Sequence, residues 1–193
     1  MDVDADDPIA LFSTLYERAS HDCPEPDAMV LSTVDPDGRP SARYVLLKEV
    51  GPRGFVFYTN LASRKAKALA AYPHAALTFY WPPQTQVRIE GTVEPVTDAE
   101  ADAYFATRPR GSQIGAWASA QSEPLASRAA LADGVRECEG RFEGKTVARP
   151  PFWSGYRVVP VMIEFWSRDM ARLHERVRFT RVHGPWTRSL LYP

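Results

Sequence analysis

Two runs rich in apolar and β-branched residues, 28–34 and 42–49, flank the tetrapeptide Asp35-Pro36-Asp37-Gly38. That tetrapeptide forces a reversal, because proline presets φ and glycine tolerates positive φ. The two runs are therefore expected to pair as antiparallel strands. Further strands are expected over 54–59, 74–81 and 86–95, the last two joined across Pro82-Pro83, and then over 158–166, 173–181 and a short segment near Leu190. Seventeen prolines mark frequent turns. Strands that follow one another through turns rule out a regular βαβ alternation. No Gly-x-Gly-x-x-Gly fingerprint follows a strand, so a Rossmann site is not expected.

Helices fill the remaining stretches. Asp7-Pro8 caps an amphipathic pattern through Tyr16. Ser63 caps a helix to about Ala71, stopped by Pro73. Thr97-Asp98-Ala99-Glu100 is a capping box opening a helix that ends near Pro109. A short helix over 113–120 and a longer one over 126–142 complete the set. The expected fold is mostly β with peripheral helices (α+β): one antiparallel barrel-like domain over residues 1–193, with residues 1–6 as an acidic stub outside the folded body.

Several function classes are excluded by composition. The net charge is −1, whereas a protein that wraps nucleic acid carries a basic excess. No apolar run approaches the ~18 residues of a membrane span. Cys23 and Cys138 lack metal-ligand spacing and form no disulfide framework. With no secretory-type N-terminus, a cytoplasmic location is the default expectation. No metal-ligand set and no hydrolase elbow is visible.

Positive charge is instead concentrated locally. Ser63-Arg64-Lys65 places two cations at a helix start, where each opposes the macrodipole by ~0.3–1 kcal/mol. An anion bound there would reverse the penalty; a solvated helix start is the alternative. Arg43 and Lys48 bracket an apolar strand core. Their odd spacing sends them to opposite faces of a regular strand, so a shared site needs a bulge or a ligand lying across the edge. Tyr104 and Arg108 fall on one helix face, and Ser112 follows Gly111. This set suits a phosphate clamp, or equally a basic helix C-terminus. In a strand, Arg172, His174 and Arg176 would share one face, with Trp166 shortly before them. Two guanidiniums flanking an imidazole call for an anionic or electron-rich partner. Two phosphate-type clusters plus this face imply two phosphorylated ligands, or one with two anionic ends.

The order and spacing of Arg43–Lys48, Phe57–Leu61 with Ser63-Arg64-Lys65, Arg108–Trp117, Gln121-Ser122 and Ile163–Arg176 resemble the pyridoxine/pyridoxamine 5′-phosphate oxidase family, an FMN-dependent split β-barrel, over nearly the whole chain. The resemblance implies that Arg43, Lys48, Tyr58, Thr59, Arg64, Lys65, Gln86, Gln121, Ser122, Trp166 and Arg176 contact FMN. It implies that Lys48, Tyr104, Arg108 and Ser112 hold the phosphate of a small pyridine substrate, with Arg172 and His174 over its ring as the catalytic pair. It further implies a homodimer with FMN between the subunits. The reaction so implied is oxidation at C4′ to pyridoxal 5′-phosphate, with O₂ reduced to hydrogen peroxide and, from the amine, ammonia released by hydrolysis. Related flavin oxidases of phenazine biosynthesis and a non-catalytic flavin-binding module are the alternatives. The retained Tyr104, Arg108 and Ser112 favour a phosphorylated substrate. Three departures stand out: an acidic stub where many members have a basic N-terminal arm, Leu190 where an arginine is usual, and Ser167 and Thr85 beside Trp166 and Gln86.

Overall fold

The computed structural model describes residues 6–82 and 85–193. The order of elements is α1 (Pro8–Asp22), β1 (Ala28–Val34), β2 (Pro40–Leu46), β3 (Glu49–Gly51), β4 (Gly54–Asn60), α2 (Arg64–Ala71), β5 (His74–Trp81), β6 (Thr85–Pro95), α3 (Asp98–Thr107), α4 (Arg110–Ala118), α5 (Arg128–Arg141), β7 (Trp153–Ser167), β8 (Glu175–Thr180) and β9 (Thr187–Leu190). Pro83 and the stub residues 1–5 lie outside the described residues, so the expectations for them find no counterpart here.

All strands join one antiparallel sheet in the order β2-β1-β5-β6-β7-β4-β3, with β8 on β7 and β9 on β8. The 15-residue β7 organises it. Residues 153–158 of β7 pair with β4, residues 162–167 pair with β8, and β6 runs along its other edge. One edge of β7 is thus shared between two partners, and the sheet curls into a split barrel. The β6–β7 ladder shifts register between Glu90 and Gly91, opposite Pro160. Proline cannot donate to a ladder, and a Cβ on Gly91 would lie 2.1 Å from the Val159 carbonyl oxygen, so the bulge needs both residues.

Strand alternation fills the barrel. Met29, Leu31, Phe55, Phe57, Leu77, Phe79, Val87, Ile89, Phe165 and Phe179 are buried. Helix α1, capped by Asp7 on the Ile9 N–H at 2.8 Å, plugs one end. Its Phe12 meets Phe55, Phe79 and Trp81 at centroid distances of 4.9, 5.1 and 5.6 Å. A second apolar cluster joins Phe105, Ile114, Phe142, Val147 and Trp153, and it seats helices α3 to α5 against the start of β7.

Two expectations are corrected. Residues 42–49 do not form one strand: β2 ends at Leu46, and Leu47 and Lys48 form a break before β3. Residues 172–174 are not in a strand: β8 starts at Glu175, and Arg172 takes a left-handed φ of 64°. Of the three basic residues expected on one strand face, only Arg176 is in the strand. Asp169 causes this, because its side chain captures the Ala171 and Leu173 N–H groups that a ladder would use.

Candidate functional site

A cavity of about 720 Å³ opens between β2, β4, the α3–α4 junction and the segment after α4. Arg43, Lys48, Tyr58, Thr59, Lys65, Tyr104, Arg108, Ser112 and Gln121 all line it. The strand break resolves the odd spacing of Arg43 and Lys48. Arg43 projects from β2, donating to Leu31 O and Thr33 Oγ1 at 2.9 Å each, while Lys48 leaves from the irregular segment. Lys48 Nζ pairs with Asp27 Oδ2 at 2.8 Å.

At one end of the cavity, Ser63 caps α2, and Lys65 turns inward. Lys65 Nζ donates to Thr59 Oγ1 (3.2 Å) and Gln121 Oε1 (3.1 Å). Burial, with Arg43 adding to it, lowers the Lys65 ammonium pKa. Burial likewise lowers that of Arg43, offset by Asp35 and reinforced by Arg64. Two desolvated cations facing one space favour an anion between them. Arg64 does not line the cavity. Its guanidinium turns outward to Asp35, while its backbone N–H donates to Ser122 Oγ at 3.3 Å. Ser122 has a φ of 76°, which turns the chain so that Gln121 enters the cavity.

At the other end, Tyr58, Tyr104 and Trp153 form an aromatic stack. The Tyr58–Tyr104 centroids are 4.2 Å apart at 14°, and Tyr58–Trp153 are 5.2 Å apart at 4°. Gly155 makes room for it, since a Cβ there would lie 2.7 Å from the Tyr58 ring. The Arg108 guanidinium sits 4.8 Å above the Trp153 ring. Its Nη1 is buried and has no hydrogen-bond partner among the described residues. Burial lowers its pKa, with Tyr104 opposing. A buried donor without a partner is costly, and a phosphate oxygen would satisfy it. Sequence reasoning missed Trp153, because it lies five residues before the strand expected from 158; its place next to Pro150-Pro151 was the one available signal.

Gln86, Trp166, Arg172, His174 and Arg176 do not line this cavity. Cross-strand pairing sets Gln86 opposite Trp166 and Trp166 opposite Arg176. Arg176 donates through Nε (2.9 Å) and Nη2 (2.8 Å) to Glu164 Oε1, a buried carboxylate that sequence reasoning also missed, and through Nη1 to Tyr192 O. The His174 ring lies 4.6 Å from that of Trp166. The structure therefore divides the sequence-predicted residues into a cavity group and a group at the far end of β6, β7 and β8. Among the described residues no cluster could hold a metal ion, and no helix is long and apolar enough to cross a membrane.

The chain is 57% identical over 189 residues to a pyridoxine/pyridoxamine 5′-phosphate oxidase of Myxococcus xanthus (strain DK1622), covering 97% of this chain and 92% of that one. It is 56% identical over 191 residues to the enzyme so named from Sphingopyxis alaskensis, covering 98% and 88%. Among solved structures, PhzG from Burkholderia lata 383, in complex with tetrahydrophenazine-1-carboxylic acid, superposes with a TM-score of 0.93 at 32% identity, covering 98% of this chain and 94% of that one. A family model described as pyridoxine 5′-phosphate oxidase C-terminal dimerisation region matches residues 153–193. Since the model described as pyridoxamine 5′-phosphate oxidase matches residues 17–142, the chain belongs to the pyridoxamine 5′-phosphate oxidase family.

Proposed function

We propose that the protein oxidises pyridoxamine 5′-phosphate or pyridoxine 5′-phosphate to pyridoxal 5′-phosphate, with FMN as cofactor and O₂ as electron acceptor, as a homodimer whose sites draw on both protomers. The observation that carries this reading is the buried Arg108 Nη1, without a hydrogen-bond partner among the described residues, at one end of a cavity whose other end holds Arg43 and Lys65. Two cationic ends in one cavity suit two phosphates, one from the cofactor and one from the substrate. The residues fit FMN: Lys65, Arg43 and Thr59 offer donors to a phosphate, and Tyr58 offers a flat ring.

Bound FMN would supply the redox chemistry, a two-electron oxidation at C4′ with the electrons passed to O₂ to give hydrogen peroxide. The chain's own residues bind and orient. Arg43, Lys48, Tyr58, Thr59, Lys65 and Gln121 hold the cofactor from the cavity side, with Arg64 and Ser122 contributing through the start of α2. Tyr104, Arg108 and Ser112, with Lys48, hold the substrate phosphate, and Lys48 exchanges Asp27 for it. Gln86, Trp166 and Arg176 complete the cofactor site, and Arg172 and His174 cover the substrate ring. Support for contribution by the second protomer comes from the dimerisation-region match and from the absence of these five residues from the cavity lining. Their work is proximity and orientation.

A second reading, oxidation of a non-phosphorylated ring, is favoured by the likeness to PhzG. An oxygen-electrode assay with pyridoxamine and pyridoxine phosphates side by side tests the proposal. Oxygen uptake with aldehyde formation is expected. Turnover of a dihydrophenazine-type ring, with none of either phosphate, would overturn it.

A further inference from the structure

We propose that Asp169 is a positioning residue for the Arg172/His174 pair, and that it presents His174 to the ligand as a hydrogen-bond donor through Nε2. The proposal rests on the reading above, in which this pair meets the substrate.

Every polar backbone atom and one carboxylate oxygen of Asp169 are engaged inside the segment that leads into β8. Its Oδ1 accepts from the N–H of Ala171 (2.9 Å) and of Leu173 (3.1 Å). Its carbonyl accepts from the Arg172 N–H at 3.2 Å. Its own N–H donates to His174 Nδ1 at 3.1 Å. These bonds close a tight loop in which Arg172, a residue with a Cβ, keeps a φ of 64°. Side chains rarely hold that conformation unless their surroundings impose it. With the Ala171 and Leu173 N–H groups released, Arg172 would relax toward extended backbone, and its side chain would take a new direction.

The contact at Nδ1 has a chemical consequence. A ring nitrogen that accepts an N–H carries no proton, so the neutral imidazole holds its proton on Nε2. Trp166 packs against the ring, at 4.6 Å and 46°. The ring is therefore constrained on one face and at one nitrogen, and Nε2–H is its remaining polar group. The substrate atom that meets it must be an acceptor, an oxygen or an unprotonated ring nitrogen. Neutral His174 held in this way donates a hydrogen bond and does not abstract a proton from C4′.

The test uses holoenzyme labelled with ¹⁵N-histidine, with long-range ¹H–¹⁵N correlation of the imidazoles at alkaline pH and His174 assigned through His174→Gln. The Nε2–H tautomer is expected in the wild type and in Asp169→Asn, which keeps the Oδ1 acceptor. A mixture of tautomers is expected in Asp169→Ala. In parallel, Asp169→Ala should lower kcat/KM for pyridoxamine phosphate roughly tenfold to a hundredfold. FMN affinity should stay within about twofold, and Asp169→Asn should recover most of the loss by restoring loop geometry. A wild-type His174 protonated on Nδ1 would overturn the donor assignment, and this measurement stands even if the alanine variant does not fold. Wild-type kinetics and tautomer in Asp169→Ala, or parallel losses of FMN and substrate affinity that Asn does not recover, would overturn the positioning role. A wild type inert toward both phosphates but with the expected tautomer response would sink the proposed reaction and leave the assignment of the loop intact.

Discussion

Replacing Glu100 with glutamine removes a charge from the point where α3, the helix that leads to Tyr104 and Arg108, is tied to the sheet. The Glu100 carboxylate accepts from the Thr97 N–H and hydroxyl at 2.9 Å each, from Arg53 at 2.5 Å and from the buried Arg157 at 2.7 Å. The Thr97 N–H and then Arg53 contribute most to holding its pKa at about 2, against an ordinary 4.5. That difference corresponds to at most about 3.4 kcal/mol of stability at neutral pH. The side chain is 23% exposed, and Arg157 keeps Glu49 at 3.5 Å and Glu94 at 3.7 Å. Solvent screening and these remaining partners reduce the expected loss to about 2 kcal/mol. Because the folded pKa is depressed, the contribution is complete above the unfolded value and is lost as pH falls toward the folded one. Urea unfolding should therefore show Glu100→Gln less stable than wild type near pH 6, with the gap narrowed by more than half near pH 3. A gap that is absent near neutrality, or equal at both pH values, would refute the reasoning.

Three further outcomes are expected. Arg108→Ala should weaken binding of the phosphorylated substrate by roughly 1.5–3 kcal/mol, the range for a charged hydrogen bond, while FMN affinity measured by fluorescence quenching holds. Trp153→Leu, which removes the ring beneath Arg108, should raise KM for that substrate by about 0.5–2 kcal/mol in free-energy terms, and Trp153→Phe should recover part of it. FMN at about a hundredfold excess over Kd should stabilise the protein by about 2.7 kcal/mol, a rise in Tm of roughly 5–10 °C by calorimetry.

The turn chemistry was legible from residues alone. Asp35–Gly38 and the Thr97/Glu100 capping box predicted a hairpin and a helix start that are both present, and β1 and β5 match their expected bounds. Local patterning was weaker where tertiary contacts decide. The start of β7 was missed because Gly155 interrupts its apolar pattern, although Gly155 is needed to seat Tyr58. Residues 172–174 alternate like a strand, but a side chain outside the alternating set, Asp169, takes their backbone donors. Arg64 and Lys65 are neighbours in the chain, yet only Lys65 lines the cavity, because Asp35 lies within reach of Arg64. Which cation of a pair faces a ligand depends on long-range partners that spacing does not encode.

The division of site residues into a cavity group and a β8 group has a genetic consequence. Under the two-protomer arrangement, damage to one group and damage to the other need not be carried by the same polypeptide. Arg108→Ala and His174→Ala subunits, each impaired as homodimers when assayed at substrate concentrations well below KM, would be mixed, unfolded and refolded together. Random reassortment puts about half of the chains into mixed dimers, each with one intact centre and one centre that carries both lesions. About a quarter of all centres should then recover activity. If both groups served the same protomer's site, the mixture would stay as impaired as its parts.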